Sequence, residues 1–185
     1  CTTAFQVPQK GEKLKLKIWR DNKEVDVAVP MEVRDDDLNI GNLYDAPPRY
    51  FVFAGLVFTP LTLDYVKTFG RNWRGVANSE MIYELYYRRN ETPAKVRKEP
   101  VVLATTLAHP VNADMRLASR AMIDTINGKR IETLEDVIAA FEENTKPQHM
   151  IQFISGTVEC LDNTQAELAN PEILSTYGIQ TDRRL

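Results

Sequence analysis

The side chains that could carry covalent chemistry in this chain are few, and their spacing does not assemble a reaction. Nucleophilic hydrolysis needs a hydroxyl or thiol beside a base that a third group orients. The serines are Ser79, Ser119, Ser155 and Ser175, and the imidazoles are His109 and His149. None of the serines sits in a Gly-x-Ser-x-Gly turn, and Ser155-Gly156 lacks the glycine two residues earlier. His109 precedes Pro110 in a connection and His149 opens a strand, so each is expected as a surface imidazole. Cys1 and Cys160 cannot make a disulfide framework and are expected as free thiols. Neither Cys-x-x-Cys nor His-Glu-x-x-His spacing occurs, so no metal site is expected. No glycine-rich phosphate loop occurs either. The chain reads as one without catalytic residues, metal or cofactor of its own.

Recognition chemistry is better represented. In Phe53-Ala54-Gly55-Leu56-Val57-Phe58 a glycine stands between apolar residues and leads into a strand. Without a Cβ at Gly55, backbone N–H groups near Leu56 and Val57 can converge on a carboxylate. The edge of the strand that follows can pair with an extended peptide, whose alternate side chains point into an apolar pocket. Val137, Ile138 and Phe141 form an apolar stripe on the best-patterned helix of the sequence and could wall that pocket. The expected peptide-binding residues are therefore Ala54, Gly55, Leu56, Val57, Phe58, Val137, Ile138 and Phe141. The same segment also fits a plain buried β-turn, and both readings stand at this point. The last residues, Asp182-Arg183-Arg184-Leu185, end in an apolar side chain and could lie in a neighbouring copy's groove.

The elements that must hold these residues follow from the patterning. Residues 11–31 alternate Lys with Leu14, Leu16 and Ile18, turn at Arg20-Asp21-Asn22-Lys23, and resume with Val25, Val27 and Val29. That is a β-hairpin, and a hairpin alone is marginal in water. An acidic run at Asp35-Asp36-Asp37 and the pair Pro47-Pro48 mark residues 35–48 as a linker. Residues 50–58 read as two short strands turning at Gly55. Thr62 is expected to cap a short helix over 63–69 and Ser79 to cap a second. Residues 90–99, charged and carrying Pro93, read as an exposed connection. Strands are expected at 101–107 and 121–126, the latter closed by Asn127-Gly128. Thr133 opens the helix in which Leu134, Val137, Ile138 and Phe141 fall at i, i+3, i+4 and i+7. A strand at 150–154 follows, then a helix over 162–169 and another restarting at Asn170-Pro171 and stopping before Gly178. Strands interrupted by helices with short connections indicate an α+β domain.

Composition agrees with a folded recognition module. The 185 residues are 43% apolar and 26% charged, enough to bury a core in one ordinary domain or a domain plus a fragment. A net charge of −3 argues against nucleic acid or anionic lipid as partner. No run approaches the ~20 apolar residues that span a bilayer, so no membrane span is expected. The first residues lack a charged-then-apolar export signal.

The order of these features resembles a known family. The 53–58 segment looks like the carboxylate-binding loop of PDZ domains, and Asn127-Gly128-Lys129-Arg130-Ile131, the helix at 133–141 and the strand at 150–153 follow in PDZ order. Residues 47–61, PPRYFVFAGLVFTPL, resemble the start of the second PDZ domain in the plant-type branch of Deg/HtrA serine proteases. Val101-Val102-Leu103-Ala104 and the helix near 170–179 are similar to that branch too. The hairpin resembles the closing hairpin of the preceding PDZ domain. The resemblance implies a PDZ-like small β-barrel or sandwich with flanking helices over 49–185, preceded by the hairpin (1–34) and the linker (35–48), and closed by a C-terminal helix. It implies a non-catalytic peptide-binding and regulatory region of a serine endopeptidase in protein quality control. The protease domain, with its catalytic triad, would lie upstream. Implied partners are C-terminal or extended segments of unfolded proteins, that upstream domain, and further copies in a homo-oligomer. The implied compartment is a bacterial cell envelope or a plant organelle. The alternative is a structural oligomerisation module, its groove filled by its own chain or a neighbouring subunit. Whether the Leu56–Phe58 edge is open or already paired distinguishes the two.

Overall fold

A computed structural model describes residues 13–30, 46–116 and 119–185. The chain divides into two compact units, Cys1–Asp37 and Leu38–Leu185. In the first, β1 (Lys13–Arg20) and β2 (Lys23–Pro30) form an antiparallel hairpin. Asp21 and Asn22 have φ of 53° and 59°, the left-handed pair whose twist suits a two-residue hairpin loop. The register sets Leu14 opposite Val29, Leu16 opposite Val27 and Ile18 opposite Val25. One face is thus apolar, and Leu16, Ile18 and Val29 on it are exposed. The acidic run of the linker and Cys1 lie outside the described residues.

The second unit is built on one antiparallel sheet. Its strands are β3 (Tyr50–Phe53), β4 (Leu56–Pro60), β5 (Val101–Thr106), β6 (Ala121–Ile126), β8 (Gln148–Phe153) and β9 (Val158–Asp162), side by side in that order. The short β7 (Lys129–Arg130) pairs with β6, and β10 (Arg183–Arg184) pairs with the outer edge of β3. Between β4 and β5 the chain makes α1 (Leu63–Lys67), α2 (Trp73–Val76), α3 (Ser79–Tyr86) and α4 (Arg88–Glu91). The helix α5 (Leu134–Glu142) follows β7, and α6 (Asn163–Thr176) follows β9. This is the mixed α/β, PDZ-like arrangement of strands and flanking helices that the motif order implies.

Period-two alternation divides the core. In β5, Val101 and Leu103 face a cluster with Phe51, Leu56, Phe58, Ile123 and Phe141, whereas Val102 faces a second cluster with Leu61, Val66, Trp73 and Met81. Helix α5 covers the first side of the sheet, and α1 to α3 cover the other. Each fully buried Leu or Phe contributes about 1.5–3 kcal/mol relative to exposure, so the long excursion between β4 and β5 is held by its own core. Thr133 opens α5 as its sequence predicts, and it does so within a capping box. Thr133 accepts from the Asp136 N–H, and Asp136 accepts from the Thr133 N–H at 3.1 Å.

Four local expectations change. Asn78, not Ser79, caps α3, its Oδ1 accepting from the Glu80 N–H at 3.0 Å. An Asn accepts at this position at least as well as a Ser, so the helix starts one residue earlier. Residues 90–99 are not simply an exposed connection. Arg97 is buried, donates to Ile131 O at 3.1 Å and pairs with Asp124. Glu99 accepts from the Leu134 N–H at 3.1 Å and pairs with Arg49. The two expected C-terminal helices are one, because Ala166, Ala169 and Ile173 lie on a single buried face that continues across Pro171. Burial there outweighs the one hydrogen bond that proline removes. Finally, His149 is fully buried rather than on the surface.

Candidate functional site

The hairpin of β3 and β4 turns at Ala54 and Gly55, with φ of 49° and 84°. These positive values make a tight two-residue connection and explain the glycine at its second position. The turn is enclosed on every side. The Ala54 N–H donates to Asn170 Oδ1 on α6 at 2.9 Å. Asn112 Nδ2 donates to both Ala54 O and Leu107 O at 2.9 Å, and the Leu107 N–H donates to Gly55 O at 2.8 Å. The Ala54 amide at the head of the turn is thus already engaged by a side chain.

Strand β4 is paired on both edges. Val57 is opposite Val52 of β3 and Thr105 of β5, and Phe58 is opposite Phe51 and Leu103. The edge at Leu56–Phe58 is therefore closed by neighbouring strands. The expected lining residues do come together, but as core. Leu56, Phe58, Val137, Ile138 and Phe141 share the first hydrophobic cluster, with the Phe58 and Phe141 ring centroids 5.6 Å apart. Val57 points to the opposite face and is half-buried.

One strand over, β3 presents a different edge beside α5. There β10 runs antiparallel to it, Arg183 opposite Phe51 and Arg184 opposite Tyr50. The Val52 N–H donates to Asp182 O at 2.7 Å, and Tyr50 Oη donates to Thr181 O at 3.1 Å. Arg183 reaches across to the last residue of α5, its Nη1 2.8 Å from Glu142 Oε1. Its guanidinium also lies over the Phe51 ring, 5.2 Å from the centroid, and that of Arg184 lies over Tyr50 at 5.4 Å. The hydrogen bond to Asp182, and then that to Glu142, raise the Arg183 pKa above its already high value. Behind this edge, Tyr50, Val52, Val57 and Leu107 line a cavity of about 400 Å³, bounded on its far side by residues 178–181. An extended segment added to a sheet edge alongside a helix is the manner in which strand-addition domains take peptides. Here residues 181–184 fill that place. The sequence reading puts residues 182–185 in a neighbouring copy's groove and keeps the chain itself as an alternative occupant. It does not find the seat on β3, because a two-residue strand has no periodicity to detect.

Beneath the edge, Phe53 and Phe141 pack on His149, with ring centroids 5.4 Å and 4.8 Å away. Backbone groups fix the three asparagines around this imidazole. Asn127 Oδ1 accepts from the Met150 N–H, Asn144 Oδ1 accepts from the Lys146 N–H, and Asn163 Nδ2 donates to Asn144 O. Nδ1 of His149 consequently faces two amide donors, Asn144 at 3.0 Å and Asn127 at 3.3 Å, while Nε2 lies 2.9 Å from Asn163 Oδ1. Only the neutral ring with its proton on Nε2 satisfies all three. Burial pushes the pKa of His149 down, against the Asn163 hydrogen bond and the Glu167 charge that pull it up. A histidine lowered on folding stabilises the protein fully above its ordinary value of 6.5, and that contribution is lost as the pH falls through 6.5 toward the folded value. Thermal melting at pH 7.5 and pH 5.5 should therefore show acid destabilisation of the parent, and a smaller pH difference in His149→Gln. An equal pH difference in the two would contradict this account of the buried ring.

Comparison with known proteins adds the family context. The family described as PDZ domain matches residues 18–184. The putative mitochondrial protease Do-like 11 of Arabidopsis thaliana is 21% identical over 171 residues, covering 92% of this chain and 25% of that protein. The mitochondrial protease Do-like 4 of the same plant is 26% identical over 168 residues, covering 91% of this chain and 29% of that protein. Putative protease Do-like 13 is 23% identical over 171 residues, covering 92% and 30%. The chain spans between a quarter and a third of the length of these relatives.

Proposed function

We propose, since this chain belongs to the PDZ domain family, that it is the non-catalytic peptide-binding and regulatory region of a Deg/HtrA-like serine endopeptidase, and that peptides bind at the outer edge of β3. The observation that carries this reading is the seat of residues 181–184 on that edge, antiparallel to Tyr50–Phe53 and beside α5. An extended segment of an unfolded protein fits the same hydrogen bonds, Val52 N–H above all. In this reading the chain's own last strand is a resident ligand, and a peptide must displace it. Two residues of pairing, two further hydrogen bonds, two guanidinium–ring contacts and one partly exposed ion pair hold that strand, all of them contacts that an incoming peptide can replace in kind.

The same occupancy supports a second reading, a structural module whose edge is permanently closed by its own chain. The two readings part on one experiment. Removing residues 182–185 takes away no member of either core cluster, since the last buried hydrophobic residue of the chain's described part is Ile173. Fluorescence anisotropy with labelled extended peptides should then show tighter binding to the shortened chain, by roughly tenfold or more, the release of about 1.4 kcal/mol of competition. Equal and negligible binding by both forms would support the structural module and overturn the peptide site.

A further inference from the structure

We infer that the β3 edge selects extended segments carrying a basic residue, recognised by Glu142 together with the rings of Phe51 and Tyr50. This inference rests on the reading of that edge as the peptide site. The resident strand supplies the template. Arg183 occupies the register position opposite Phe51, the side of the added strand that faces α5. There it meets an anion at 2.8 Å on Glu142 and an aromatic face on Phe51. A guanidinium answers both groups at once, being planar enough to lie on a ring and carrying donors at its rim for a carboxylate. Arg184, on the opposite side of the added strand, lies over Tyr50. Both cations of the segment thus rest on aromatic residues of one strand, and one is also paired across to the helix. An acidic side chain at the Arg183 position would instead face Glu142 and the negative face of the Phe51 ring. An uncharged one would leave Glu142 without this partner.

Glu142 sits in the last turn of α5, where a cation is favoured by the helix carbonyls, so Glu142→Lys is expected to fold. The test uses the chain lacking residues 182–185 and two hexapeptide probes. One copies residues 180–185, Gln-Thr-Asp-Arg-Arg-Leu, and the other carries Glu in place of the first Arg. The copy should bind roughly three- to tenfold more tightly at low salt, and the preference should shrink as ionic strength rises. In Glu142→Lys the preference should disappear or reverse. If both peptides bind the parent equally, the selectivity is overturned while the edge remains a peptide site. If neither binds, the edge reading itself falls and the selectivity with it.

Discussion

Gly55→Val should destabilise the second unit by about 3 kcal/mol or more, and a circular-dichroism melt should show Tm falling by roughly 6–12 °C. Two independent effects add at this position. Its φ of 84° lies in the left-handed region, where a β-branched residue is strained. A Cβ there would also stand 2.5 Å from both Leu107 O and Asn112 Nδ2. The asparagine can rotate only by giving up its hydrogen bonds to Ala54 O and Leu107 O, and the carbonyl belongs to backbone. Any weakening of peptide binding in this variant would follow from lost folding. A melt unchanged within ~2 °C would contradict the enclosed turn described here.

Val137→Glu should cost still more, about 4 kcal/mol or beyond, with loss of the cooperative transition near neutral pH. Val137 is fully buried in the cluster that joins α5 to the sheet. A carboxylate there has no polar partner, so it must either stay neutral at high cost or open the core. The control is Val158→Glu on β9, where the side chain is 46% exposed and the effect should stay within ~0.5 kcal/mol. Comparable melts for the two variants would show that α5 packs differently from the arrangement described.

Much of the scaffold was legible in the sequence because the relevant signals are local. The alternation around Asp21-Asn22, the glycine at Gly55, the Asn127-Gly128 turn and the Thr133 capping box each act through their immediate neighbours, and each forms where expected. The apolar stripe of α5 was equally plain, but periodicity reports only that a face is buried. It does not distinguish a groove wall from a core, and Val137 and Phe141 turned out to pack beneath the sheet. Pairing partners were the least legible feature. Whether the far side of β4 is open depends on β3, and whether β3 is open depends on residues ~130 positions away. His149 escaped for a similar reason. It is enclosed by the rings of Phe53 and Phe141 and by Asn127, Asn144 and Asn163, and the asparagines individually read as turn and cap formers.

Hydrogen exchange at the Val52 amide tests the central claim most directly, because this one N–H joins the β3 edge to Asp182 O. In the full chain it should be protected. In the chain lacking residues 182–185 it should exchange at least tenfold faster, while the Phe58 amide within the doubly paired β4 stays slow. Adding the hexapeptide Gln-Thr-Asp-Arg-Arg-Leu to the shortened chain should restore protection at Val52. A Val52 amide that exchanges equally in the full and shortened chains, or that stays unprotected with saturating peptide, would contradict the account.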